Sequence, residues 1–158
     1  MREASPTLAM KYLILSWSLL IVTSCSHAIA PEVLGVLEVS HDKLVERDGV
    51  TYQIDSDEPF TGRSVEFHQD GKLWRKTDYE DGKADGFYQM FHANGQLATR
   101  VNYKDGKKEG LGEWFWENGQ LGQIGHFKDG QKEGLYEMFN EKGALIRSVT
   151  YKNDVRMD

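Results

Sequence analysis

Two sets of residues in this sequence have types and spacings that suggest chemistry. His68 and His92 stand 24 positions apart, and paired imidazoles are common zinc ligands. Asp85, Glu109 and Glu133 recur at the same interval, and two facing carboxylates are the acid and base of a glycosidase. The interval argues against both. If 24 residues make one hairpin, equivalent positions lie two strands apart, about 9.6 Å at ordinary strand spacing, too far for two imidazoles to share an ion. The same gap puts the carboxylates at the upper end of the inverting-glycosidase range. A repeat, however, gives each carboxylate the same surroundings, whereas acid–base catalysis needs two environments that split the pKa values. His126 has no carboxylate, serine or thiol partner at a matching offset. The carboxylates read as solvated turn charges facing Lys83, Lys107, Lys108 and Lys132. No catalytic residue, metal site or cofactor is expected, and the chain is not expected to be an enzyme.

The interval itself organises the chain. Four copies align without a gap over residues 59–82, 83–106, 107–130 and 131–154, as in "KADGFYQMFHANGQLATRVNYKDG" and "KKEGLGEWFWENGQLGQIGHFKDG". Their leading glycines are Gly62, Gly86, Gly110 and Gly134. Two further series, Gly71, Gly95, Gly119, Gly143 and Gly82, Gly106, Gly130, mark two turns per copy, with Asp154 ending the second. Asn94-Gly95 and Asp105-Gly106 both suggest two-residue hairpin turns whose central residues take positive φ. Between them Leu97, Thr99, Val101 and Tyr103 alternate with polar residues, the pattern of a strand with one apolar face. On two-residue turns, Tyr88 and Met90 fall opposite Val101 and Thr99, and the apolar face continues across the hairpin. The expectation is an all-β, elongated antiparallel β-meander of tandem 24-residue hairpin repeats, extended one unit at a time. A lead-in hairpin over 43–58 turns at Asp48-Gly49.

Length and charge narrow the rest. A chain of 158 residues has no room for a catalytic domain beside the repeats. With 19 basic against 25 acidic residues, nucleic acid has no electrostatic support as a partner. Residues 1–24 read as a signal peptide, with Lys11 before an apolar run from Tyr12 to Val22 that is too short to span a bilayer. Translation starts at Met1 or Met10. Val22-Thr23-Ser24-Cys25 resembles the bacterial lipobox, which makes Cys25 the lipidation site and 25–42 a tether. The alternative is cleavage after Ala28 or Ala30. Lipidation implies an exported, cell-envelope protein held to the membrane by its anchor, on the outer membrane where the cell has one.

Gly-x-Tyr-x-x-Phe-x-x-Asn-Gly-x-Leu followed by Tyr-x-Asp-Gly-Lys, as in Gly86 to Lys107, resembles the MORN repeat variant family. Its bacterial members carry tandem copies and are often labelled antitoxins of toxin–antitoxin systems. The resemblance covers residues 43–158 and implies the fold more than any chemistry. The first copy departs most, at Ser64 and Glu66, as a capping copy would.

The aromatic residues remain. Phe67, Phe91, Phe115 and Phe139 recur at the fifth place after the leading glycine and point away from the Tyr103 face. Such a column is either a second packed face or an exposed strip. Phe91 and Phe115, with Trp114 and Trp116 beside Phe115, are the candidate binding strip, since tryptophan and tyrosine concentrate in interfaces. The partner expected is another protein, with an envelope glycan or lipid headgroup as the alternative.

Overall fold

In the computed structural model, residues 36–157 are described. The signal segment, Cys25 and the tether as far as Gly35 lie outside them. The two glycine series make different turns. Asp105 and Gly106 both take positive φ, 48° and 79°, and Lys104 pairs with Lys107 across them, which is the expected two-residue turn. Asp48-Gly49, Asp81-Gly82, Asp129-Gly130 and Asn153-Asp154 do the same. Asn94-Gly95 does not. Only Gly95 has positive φ, 86°, while its N–H donates to the His92 carbonyl and the His92 N–H donates to the Gln96 carbonyl. This is a three-residue loop, a type I turn closed by a left-handed glycine. The other members of the series, ending at Gly71, Gly119 and Gly143, close in the same way. The expectation of a two-residue turn there is corrected.

The strands between are β1 (Glu38–Ser40), β2 (Leu44–Arg47), β3 (Val50–Gln53), β4 (Gly62–Phe67), β5 (Leu73–Glu80) and β6 (Lys83–Phe91), then β7 (Leu97–Lys104), β8 (Lys107–Phe115), β9 (Leu121–Lys128), β10 (Gln131–Phe139), β11 (Leu145–Lys152) and β12 (Val155–Arg156). From β4 to β12 they form a meander in chain order, and β2 with β3 forms the separate lead-in hairpin. Tyr88 pairs with Val101 and Met90 with Thr99, as the alternation requires. Among the described residues the one parallel pairing is β1 beside β4. It draws Glu38–Ser40, expected in the tether, into the sheet, where it covers the exposed backbone of an edge strand.

A single sheet has no second layer, so one face must bury itself. Its central row runs Ser64, Thr77, Tyr88, Val101, Gly112, Gly125 by direct pairing and ends at Tyr136 and Val149. Ser64, Thr77, Val101, Tyr136 and Val149 are all buried. Beside it lie Tyr79, Tyr103, Phe127 and Tyr151, each opposite a leading glycine. The rings lean on one another: Tyr136 meets Phe127 and Tyr151 edge-on at 5.8 and 5.2 Å. The Lys108 and Lys132 ammonium groups lie over Phe127 and Tyr151 at 5.0 and 4.9 Å, which adds cation–π attraction and covers the rings.

Glycines outside the three periodic series make room for the largest rings. A Cβ at Gly125 would sit 2.5 Å from the Tyr136 ring, and one at Gly112 would sit 2.9 Å from Trp114. Gly125→Ala should therefore cost about 1–3 kcal/mol by overpacking, and Tyr136→Ala about 3–5 kcal/mol by leaving a cavity. In denaturant titrations the double variant should fall short of the sum by about 1 kcal/mol or more. Strict additivity would mean that the ring does not seat on the glycine. Gly95→Val, at a φ that a β-branched residue rarely adopts, should lower stability by about 1–3 kcal/mol.

Candidate functional site

The residues first singled out for chemistry are placed by the repeat and used by it. Asp85 Oδ2 accepts the Lys104 ammonium at 2.7 Å and the Asp105 N–H at 3.2 Å. Glu109 accepts the Asp129 N–H at 2.8 Å, and Glu133 accepts the Asn153 N–H at 3.1 Å. In the first copy the Thr61 hydroxyl takes the Asp81 N–H. Each side chain before a leading glycine thus caps the two-residue turn that closes its own copy, 20 residues on. The expectation that these carboxylates face Lys83, Lys107, Lys108 and Lys132 is corrected, since Asp85 takes Lys104 and two of those lysines lie over rings. The Lys104 ammonium and the Asp105 N–H hold the Asp85 carboxyl below the usual carboxylate range.

The histidines have a similar task. The His68 and His92 rings reach the carbonyls of Phe91 and Phe115 through Nε2, at 3.3 and 2.8 Å, and the Trp116 indole N–H reaches the Phe139 carbonyl at 3.0 Å. Asn94 and Asn118 donate to the Glu117 and Glu141 carbonyls at 2.7 and 2.8 Å, while their side-chain oxygens accept from Gln96 and Gln120. Asparagine therefore stands before these glycines to bridge adjacent loops, not to take positive φ. Among the described residues, no group of three or more His, Cys, Asp or Glu could hold a metal ion, and no helix is long and apolar enough to cross a membrane.

The four aromatics of the expected strip do not form one surface. Trp114 alternates with Gly112 onto the packed face and meets Phe127 at 6.2 Å, within the cluster of Val101, Phe127 and Tyr136. Trp116 lies past the strand end against Gly122, where a Cβ would meet its Nε1 at 2.9 Å, and it is 39% exposed. Phe91 and Phe115 are half-buried. More exposed is a set outside the expected strip. Phe87 and Leu135, directly after their leading glycines, are 50% and 51% exposed, and Leu111 between them is half-buried. The available signal was an apolar residue following the leading glycine in three of four copies. Gly86, Gly110 and Gly134 enter on β-bulges: Tyr79 pairs with Ala84 and Thr77 with Tyr88, so extra residues crowd around Gly86, whose φ is 104°. Such bulges re-aim neighbouring side chains.

Beside the Phe87, Leu111, Leu135 row runs a charged one. Direct pairing carries it through Val65, Lys76, Gln89, Arg100, Glu113, Ile124, Glu137 and Ser148. Arg100 and Glu113 form an ion pair at 2.6 Å. The row is positive toward the first copies and negative toward the last.

The profile of the MORN repeat variant matches residues 60–81, 85–105, 108–129 and 132–153. No curated protein matches the chain.

Asp85→Asn tests the capping role. A carboxyl whose folded pKa is depressed contributes stability above its unfolded value, about 3.9 for aspartate, and loses it as pH falls through the folded pKa. The unfolding midpoint of Asp85→Asn should lie below wild type at pH 7, and the gap should close as the pH drops below about 4. A gap that stays constant down to pH 2 would mean that the charge of Asp85 plays no part.

Proposed function

The chain belongs to the MORN repeat variant family, and we propose that it is a non-enzymatic, envelope-anchored module that binds another protein through the outer face of its sheet. The carrying observation is the outer face itself: Phe67, Phe87 and Leu135 stand about half exposed at 52%, 50% and 51%, at strand positions whose alternation needs no apolar residue for the fold. Exposed apolar side chains gathered on one face mark interaction surfaces. The adjoining charged row favours a protein partner over a glycan or a headgroup layer, because its sign changes along the sheet and a protein can match such a pattern. Neutralising a protein toxin is one form of such binding, and the family's antitoxin label points that way.

Against enzymatic activity stands the use of Asp85, Glu109 and Glu133 and of two histidines as hydrogen-bonding staples between loops and turns. Envelope placement rests on the sequence around Cys25. An acyl chain gains about 0.8 kcal/mol per buried CH₂, so Cys25→Ala should release the chain from membranes that retain wild type through a salt wash. Equal retention of the two would refute lipidation.

Co-purification tests the binding face. Wild type should return one stable protein, while Phe87→Asp and Leu135→Asp should lose it with unfolding midpoints near wild type, since surface substitutions change stability by only about 0.5 kcal/mol. Retention on envelope glycans or liposomes without any protein would establish the alternative.

A further inference from the structure

The two edges of the sheet are finished differently. At one, β1 pairs with β4 at three positions, and the lead-in hairpin is tied down where the Thr51 N–H meets the Gly82 carbonyl and the Phe60 N–H meets the Thr51 carbonyl. At the other, β12 pairs only with Tyr151 and Lys152, and the Met157 N–H reaches the Thr150 carbonyl. Backbone groups in an antiparallel strand alternate between its two neighbours. With Thr150 directed outward, so are the backbone groups of Ser148 and Ile146, and among the described residues no strand lies beyond them on that side. In β9 the position equivalent to Ser148, Ile124, faces Glu137 of β10. The copy-to-copy staples stop at the same edge. Lys142 stands where Asn94 and Asn118 donate to the next loop, and Asn140 stands where His68, His92 and Trp116 do.

This edge also departs from the charge of the whole. The chain carries a net charge of −6, yet from Glu141 to Asp158 the four basic residues Lys142, Arg147, Lys152 and Arg156 outnumber the three acidic ones, Glu141, Asp154 and Asp158. Lys142, Arg147 and Lys152 are exposed, and no ion pair engages them among the described residues. The Debye length is about 8 Å in physiological salt, so a neighbouring strand feels these local charges more than the distant acidic ones. Next to them an open recess of ≈ 430 Å³ is lined by Trp116, Asn140, Glu141, Lys142 and Ile146, and Ile146 is 64% exposed.

The geometry points to the open edge of β11 as a β-augmentation site for an extended, acidic segment of the partner protein. This inference rests on the reading of the chain as a protein-binding module. The segment lies antiparallel to β11 in the register that β10 keeps on β9, exchanging backbone hydrogen bonds with Ser148 and Ile146. A carboxylate opposite Arg147 shares a face with the guanidinium, where unlike charges stabilise a cross-strand pair. An apolar side chain of opposite facing enters the Trp116–Ile146 recess. A second copy of this chain fits less well, because β11 paired with itself sets one basic edge against another.

A fluorescein-labelled ten-residue peptide of alternating Glu and Val, and its Lys-for-Glu counterpart, provide the probes, titrated by anisotropy against the full chain. The acidic peptide should bind about tenfold or more tightly than the basic one, and Arg147→Glu and Ser148→Pro should each weaken it by about tenfold. The Ser148 N–H points away from β10, so proline there removes only the outward donor. Should that variant unfold, Arg147→Glu still decides. Equal binding of both peptides, wild-type affinity in Arg147→Glu, or wild-type affinity in a folded Ser148→Pro would overturn the inference. So would a wild-type dimer in sedimentation that Ser148→Pro dissociates. The two readings fail separately. A co-purified partner lost with Phe87→Asp but kept with Ser148→Pro removes the edge site and leaves the binding module standing.

Discussion

A sheet one layer thick must bury one of its faces with its own side chains, and the rest of this structure follows from that need. Ordinary β folds press two sheets together or cover one with helices. Here tall and absent side chains alternate along the packed face. The Tyr136 ring lies over Gly125 and reaches the His126 carbonyl with its hydroxyl at 3.0 Å; burial raises its pKa well above the tyrosine norm. Trp114 fills the place that Gly112 leaves open. The Tyr136 ring leans out of its own copy onto Phe127 and Gly125 of the copy before, so the last two copies share a core. Stability therefore belongs to interfaces between copies as much as to the copies themselves.

The same dependence explains the residues that looked chemical. A turn amide left unpaired costs about as much as a lost hydrogen bond, and each copy meets that need with a side chain held at a fixed offset. Thr61, Asp85, Glu109 and Glu133 do so for the two-residue turns. His68, His92 and Trp116 bridge to the next copy's Phe carbonyl. Two kinds of side chain, imidazole and indole, fill that last role, so the repeat asks for a ring N–H at a distance and not for an imidazole. Recurrence at a constant interval here is the signature of a staple, whereas a catalytic pair needs unlike environments.

What the sequence made legible were the features governed by local backbone preference and period-two alternation. Asp-Gly turns, strand limits and the Tyr88–Val101 register are of this kind. Asn94 was misread because its side chain answers to the neighbouring loop, a contact 23 residues away that no dipeptide rule contains. The bulge at Gly86 breaks strict alternation and hides Phe87, whose exposure follows from it. β1 carries no turn signal because a parallel neighbour needs none, so Glu38–Ser40 passed for tether. Trp114 and Trp116 drew attention by their concentration. The explanatory signal lay in Gly112, Gly122 and Gly125, which belong to none of the three glycine series.

On the proposed reading as a binding module, recognition has to come from the positions that the repeat does not dictate. Equivalent residues see equivalent surroundings, so a strictly periodic face would let a partner slide by one copy, about 9.6 Å, without penalty. The outer charged row prevents this, with Lys76 and Arg100 toward one end and Glu113 and Glu137 toward the other. A partner carrying the reverse order is held best in one register and one direction, because a shift by one copy leaves two of the four charges without an opposite. The apolar row of Phe87, Leu111 and Leu135 can then supply contact area without having to supply specificity. That division fits a fold whose periodic residues are committed to holding it together, leaving the departures from the period to distinguish one partner from another.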